Sequence, residues 1–152
     1  MFGAGAATIA CWHSVATHHL PMSPSILAKL KAELNDAIPD PNIAASLPIL
    51  EKLPYLNAVV QQALRLRYGV SSRLQRISPG KATLFTDASN AKTWTIPPGT
   101  LVGMTSVLIH HDMSISPDSR AFRPERWLEM PRLDRYLVAF PNGKPAVPRE
   151  LI

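Results

Sequence analysis

The hydrophobic pattern of this chain changes period once, near Gly69, and that single change constrains the fold more than any other feature. Before it, apolar residues recur at helical spacing. In "SPSILAKLKAELNDAIPD", Ile26, Leu27, Leu30 and Leu34 fall on one face, Ser23 can cap, Pro24 suits the first helical position, and Pro39 and Pro41 stop the run. "LPYLNAVVQQALRLRYG" predicts a second amphipathic helix, with Leu56, Val59, Val60, Ala63 and Leu64 inward and Gly69 closing it. The first seventeen residues or so, rich in Ala and Gly, read as a helix ending near His18-His19-Leu20-Pro21, and "LPILEKL" as a short turn or helical link.

Beyond Gly69 the alternation is that of strands. "SSRLQRIS", "ATLFT", "KTWTI" and "TLVGMTSVLI" are expected to be short strands, separated by turns at "SPGK", "DASNA" and "PPG". From His110 to Phe140 neither period holds, and so long an irregular stretch in a folded chain is usually anchored by specific side chains. Helices, then a small antiparallel sheet, then coil define an α+β order. Fifteen prolines in 152 residues, most in the second half, are roughly twice the usual share of about 5% and agree with turn-rich structure there.

Composition narrows the chemistry. The chain is the size of one domain, 46% hydrophobic and 18% charged, which fits a packed globular core rather than disorder. Net charge is +5, but the basic residues are spread along the chain, and no zinc spacing or base-stacking motif accompanies them, so a nucleic-acid partner is not expected. The one cysteine, Cys11, excludes an internal disulfide and a cysteine-rich metal site. No run of about 18 strongly apolar residues is present, so no membrane span is expected. The uncharged opening "MFGAGAATIACWHSVAT" lacks the basic region of a signal peptide. Adjacent His110 and His111, if extended, would point to opposite faces, which argues against a shared metal.

Gln62 and Arg65 stand three apart on one helical face, and Arg126 lies in a distant coil, "FRPERW". From spacing alone, unrelated solvated arginines are the simpler reading. The order of elements points elsewhere. "AGAAT" on a small-residue helix, then "QALR", "IPPGT", "IHHD", "SPDSRAFRPERW" and "VAF" together resemble the C-terminal half of cytochrome P450 enzymes, fungal ones especially, from about Gly3 to Phe140.

The resemblance implies a partial P450 fold over residues 1–140, a heme cofactor, an NADPH-dependent reductase partner and a hydrophobic small-molecule substrate. The family is usually anchored to the endoplasmic reticulum membrane, and a fungal secondary-metabolite pathway is the family-level expectation. It makes "AGAAT" the oxygen-activating stretch, patterned [AG]-G-x-[DE]-T-T. Ala4, Gly5 and Thr8 match, Ala7 replaces the acid and Ile9 the second threonine. Thr8 would hydrogen-bond bound oxygen, but proton delivery would be slowed without the acid. In the family's E-x-x-R, glutamate, its arginine and the arginine of "PERW" form a buried charged triad. Here the members would be Gln62, Arg65 and Arg126, without the negative charge. Arg76 is a possible heme-propionate contact, with Arg73 as competitor.

The family's heme loop, F-x-x-G-x-R-x-C-x-G, is met only at Phe140 and Gly143. Pro145, Val147 and Arg149 stand where the arginine, the axial cysteine and the second glycine belong. Valine cannot ligate iron, and Cys11 lies on the oxygen-activating side, which puts heme binding by this chain in question. Residues 141–152 therefore read as a divergent tail. Codons permitted for "GKPAVPREL", read one nucleotide later as GGA-AGC-CGG-CAG-TGC-CTA-GGG-AAC, encode Gly-Ser-Arg-Gln-Cys-Leu-Gly-Asn, the expected loop. A frameshift after Phe140 is inferred. The leading expectation is a truncated, inactive monooxygenase fragment. The alternatives are a misread part of a full-length active enzyme, or a non-enzymatic binding module.

Overall fold

The computed structural model describes residues 3–40, 44–68, 71–87, 89–130 and 132–138. Helix α1 spans Gly3–Met22, α2 Pro24–Ala37, α3 Leu47–Leu50 and α4 Pro54–Leu66. Strands β1 (Leu74–Ile77), β2 (Thr83–Asp87), β3 (Lys92–Ile96) and β4 (Leu101–Met104) follow. Two short helices, α5 (Ser106–His110) and α6 (Arg126–Glu129), and a 3-10 turn at Leu133–Tyr136 complete the described chain. The α+β order expected from the change of period is the one observed.

Helix α4 is the axis of the molecule. Tyr55, Ala58, Val59, Gln62, Ala63, Arg65 and Leu66 are all buried, and α1, α2 and α6 pack around it. The core joins Val59, Ala63 and Leu66 to Ala16 of α1, Ile26 and Leu30 of α2, and Phe122 from the coil. Trp12 packs against the same cluster and donates from Nε1 to the carbonyl of Val60, 3.3 Å away. Leu27 and Leu34, expected inward, are only partly buried.

The start of α4 depends on a residue outside it. Its N-cap, Leu53, has no side-chain acceptor. Glu33 of α2 fills that role, with Oε1 and Oε2 each 2.8 Å from the amide nitrogens of Tyr55 and Leu56. A carboxylate there satisfies two otherwise orphaned donors and suits the positive end of the helix dipole. Ser23, by contrast, makes no side-chain cap on α2; its backbone carbonyl accepts from Leu27 instead.

Among the described residues the sheet structure is two separate antiparallel pairs rather than one small sheet. β1 pairs with β4, Leu74 opposite Met104, and β2 with β3, Phe85 opposite Trp94. At Pro97–Thr100, Gly99 takes φ 78°, and Thr100 donates to the Pro97 carbonyl, as a turn with glycine in its third place requires. The strand expected across "TLVGMTSVLI" stops at Met104. Thr105 then accepts from the amide of Val107 through its side chain and starts α5. His110 is thus the last residue of a helical turn, which corrects its expected extended conformation.

Candidate functional site

The irregular stretch after α5 is threaded over two buried arginines. Gln62, Arg65 and Arg126 are 0%, 2% and 1% exposed. Arg65 donates from Nη1 to the His110 carbonyl at 2.6 Å and from Nη2 to the Ser119 carbonyl at 2.7 Å. Arg126 donates from Nη1 and Nη2 to the carbonyls of Pro117 and Asp118, at 3.1 and 3.3 Å. Asp118 is left-handed, φ 50°, a conformation aspartate tolerates better than most residues, and it bends the coil so that successive carbonyls face one guanidinium.

Gln62 ties the two arginine sites to the coil. Its Nε2 donates to the Ala121 carbonyl at 2.8 Å, and its Oε1 accepts from Trp127 Nε1 at 3.0 Å. Arg65 Nε approaches the same oxygen at 3.4 Å, a long contact. The orientation of the amide is fixed by its surroundings, since one end meets two donors and the other an acceptor. Gln62 brings Arg65 and the α6 region together, but makes no hydrogen bond to Arg126.

The electrostatics show what the cluster lacks. Burial, and then repulsion from Arg126, lower the pKa of Arg65 to about 10. Arg126 is lowered too, by burial first and then by Arg123, with the carboxylates of Asp118 and Glu129 acting in the opposite direction. Its Nε is buried with no hydrogen-bond partner. Carbonyl dipoles satisfy four of the guanidinium nitrogens, but they do not neutralise two positive charges.

Other sequence-predicted residues lie apart from this cluster. Thr8 is half-buried on α1, and its carbonyl accepts from Arg67 Nη1 at 3.0 Å. Arg67, 8% exposed at the end of α4, had no role in the sequence reading. Arg76 is exposed on β1 and donates to the Gln75 carbonyl of its own strand. Val147 and the rest of the tail, with Phe140, lie outside the described residues.

The two histidines hold structure. His110 is 4% exposed, and its Nε2 accepts from the Val138 amide at 3.2 Å. Burial, and then the charge of Arg65, lower its pKa to about 4. His111 stacks on Tyr68 and lies between the Tyr68 hydroxyl, 2.8 Å from Nε2, and the Ser119 hydroxyl, 3.2 Å from Nδ1. Among the described residues no group of histidine, cysteine or acidic side chains could hold a metal ion. Two open surface hollows, of about 280 and 420 Å³, are lined by neither Thr8, Gln62 nor Arg76.

A cytochrome P450 family model matches residues 1–145. The chain belongs to the cytochrome P450 family. It is 49% identical over 140 residues to cytochrome P450 monooxygenase tpcC of Cochliobolus heterostrophus, covering 92% of this chain and 27% of that protein. It is 50% identical over 143 residues to cytochrome P450 monooxygenase astB of Talaromyces wortmannii, covering 93% of this chain and 29% of that protein. Cytochrome P450 monooxygenase MO6277 of Ascocoryne sarcoides is 44% identical over 147 residues, covering 94% of this chain. The chain thus spans little more than a quarter of the length of these fungal relatives, and its structure is a partial P450 fold. No described helix is long and apolar enough to cross a membrane.

P450 membership implies heme, and the donor set can be tested against it. The residues present do not fit a heme–thiolate group. Cys11, the sole cysteine of the sequence, is exposed on α1, three residues along the same helix from Thr8. Its sulfur lies among the exposed residues of that helix and not in the coil after α6, which among the described residues holds no thiol.

Proposed function

We propose that this chain is a degenerate piece of a fungal P450 monooxygenase that does not catalyse oxidation as it stands. The observation that carries this reading is the position of Cys11, exposed and on the same helix as Thr8, in a sequence with no other thiol. A thiolate is the ligand whose electron donation drives oxygen cleavage in this family, and valine at position 147 offers no lone pair.

Two further losses act in the same direction. Ala7 leaves Thr8 without a neighbouring acid to pass protons. Gln62 leaves Arg65 and Arg126 buried without a carboxylate between them. On this reading residues 1–140 form the P450-derived unit and 141–152 a tail read out of frame. Arg76, exposed on β1, remains the candidate for a propionate contact in an intact relative of this chain.

Titrating the purified chain with hemin, reducing it and adding carbon monoxide tests the proposal. The spectrum should lack the red-shifted band of a ferrous thiolate complex; that band, if formed, refutes it. A second reading, favoured by the shifted codons after Phe140, is that the locus makes a longer, active enzyme that takes electrons from NADPH through a reductase and hydroxylates a hydrophobic small molecule. Sequencing the locus and its transcript decides between them, since the second reading requires the shifted loop in the mature message.

A further inference from the structure

The smaller surface hollow, of about 280 Å³, lies between the second half of α1, the end of α4 and the coil after α5. Buried Leu66 and half-buried Val15 are its apolar lining. Apart from the Tyr68 phenol, the ionisable side chains around it are His18, His19 and Arg120, and no carboxylate is among them. Its volume falls just under the usual range of about 300–1,000 Å³ for small-molecule sites, so an occupant has to be small.

Two of these groups are fixed in place. The His19 ring stacks on Phe122, with centres 4.8 Å apart, and His18 meets it edge-on at 5.0 Å. Burial, and then the charge of His18, lower the pKa of His19; Arg120 adds to the lowering of His111, behind burial and Arg65. The Arg120 guanidinium makes no hydrogen bond or ion pair with another described residue. Donors and positive charge thus border an apolar lining without a counter-charge, which suits an anion with an apolar body.

The helix sets how much negative charge the hollow favours. His19 stands in the last turn of α1, where the terminal carbonyls carry partial negative charge. A dianionic phosphate would meet that end of the dipole. A carboxylate carries a single charge and matches the planar fork of one guanidinium.

We propose that this hollow binds a small carboxylate with an apolar body, its charged end on Arg120 and its hydrocarbon part against Val15 and Leu66. The site uses none of the residues assigned to heme or oxygen chemistry, so it stands whether or not the chain binds heme.

Benzoate is the probe, titrated calorimetrically into the full chain at neutral pH, with neutral benzamide and dianionic phenyl phosphate as comparisons. Benzoate should bind saturably with a Kd of about 1 mM or below, in keeping with a ligand of this size. Benzamide should bind about tenfold more weakly, and Arg120→Gln should weaken benzoate by about tenfold, through loss of the charge-assisted pair. Arg120 is exposed, so its replacement should leave the circular dichroism spectrum unchanged. Lys81→Gln, which removes the same charge at an exposed position outside the hollow, should leave the affinity unchanged. Four outcomes would overturn the proposal: no saturable binding at about ten times the expected Kd, equal binding of benzamide, unchanged affinity in Arg120→Gln, or tighter binding of phenyl phosphate than of benzoate. The last would assign the hollow to phosphate.

Discussion

Replacing Gln62 by glutamate tests the physical account of the arginine cluster most directly. A carboxylate at this position would face Arg65 Nε, now 3.4 Å from the amide oxygen, and would offset the repulsion that Arg126 exerts on Arg65. Unit charges about 4 Å apart attract by about 4 kcal/mol at the effective dielectric suited to protein sites. Desolvating the new carboxylate opposes much of that gain, and completing a buried charge pair is worth about 3–5 kcal/mol relative to a broken one. The substitution also removes the Gln62 Nε2 donation to the Ala121 carbonyl, a loss of about 1 kcal/mol. The Trp127 indole can still donate to a carboxylate oxygen.

The balance is a net stabilisation of about 2–3 kcal/mol, or about 5–10 °C in Tm for a chain of this size. Urea unfolding at neutral pH, followed by far-ultraviolet circular dichroism, measures it. The gain should fade in acid as the new carboxylate protonates, while the parent shows no such loss from this position. A Gln62→Glu chain no more stable than the parent would refute the reasoning. It would mean that the amide's donation to Ala121, which a carboxylate cannot make, outweighs pairing with two buried guanidinium groups.

Two other predictions follow from the packing around α4 and α5. Glu33→Ala removes the acceptor for two amides at the start of α4 and should cost about 1–2 kcal/mol in urea unfolding, whereas Glu33→Asp should recover part of it. His110 has a folded pKa depressed from 6.5 to about 4, so the unfolded chain takes up its proton first as pH falls. Stability should therefore be present above pH 6.5 and be lost progressively toward about 4, by about 3 kcal/mol in total, and His110→Asn should flatten that part of the profile.

What could be read in the sequence depended on whether one element or two were needed to define it. The faces of α2 and α4 follow from their own spacing, and Ile26, Leu30, Val59 and Ala63 are buried as that spacing requires. Glu33 as the cap of α4 could not be found that way, because the helix it caps begins 21 residues later and only packing brings the carboxylate there. Trp127 stood within a quoted motif without a role, since the hydrogen bond from its indole depends on where Gln62 lies in three dimensions. The strand drawn through Ser106–Ile109 failed for a local reason. Val107, Leu108 and Ile109 are apolar and β-prone, but the Thr105 cap turns the chain into a helix before they can extend.

The positions of the departures decide how much a corrected reading frame could restore. A shifted frame after Phe140 changes only the tail, where it would replace Val147 by cysteine. Ala7 and Gln62 lie upstream, inside α1 and α4, and keep their identity in either frame. With a thiolate restored, Ala7 would still stand beside Thr8 and two buried arginines would still lack a shared carboxylate. The three losses are separable by experiment. A chain carrying the shifted loop together with Gln62→Glu should be more stable than one carrying the shifted loop alone by the same 2–3 kcal/mol (about) worked out for the parent. Equal stability of the two would show that the heme-loop segment and the arginine cluster are coupled, and that the cluster's missing charge matters only when the loop is absent.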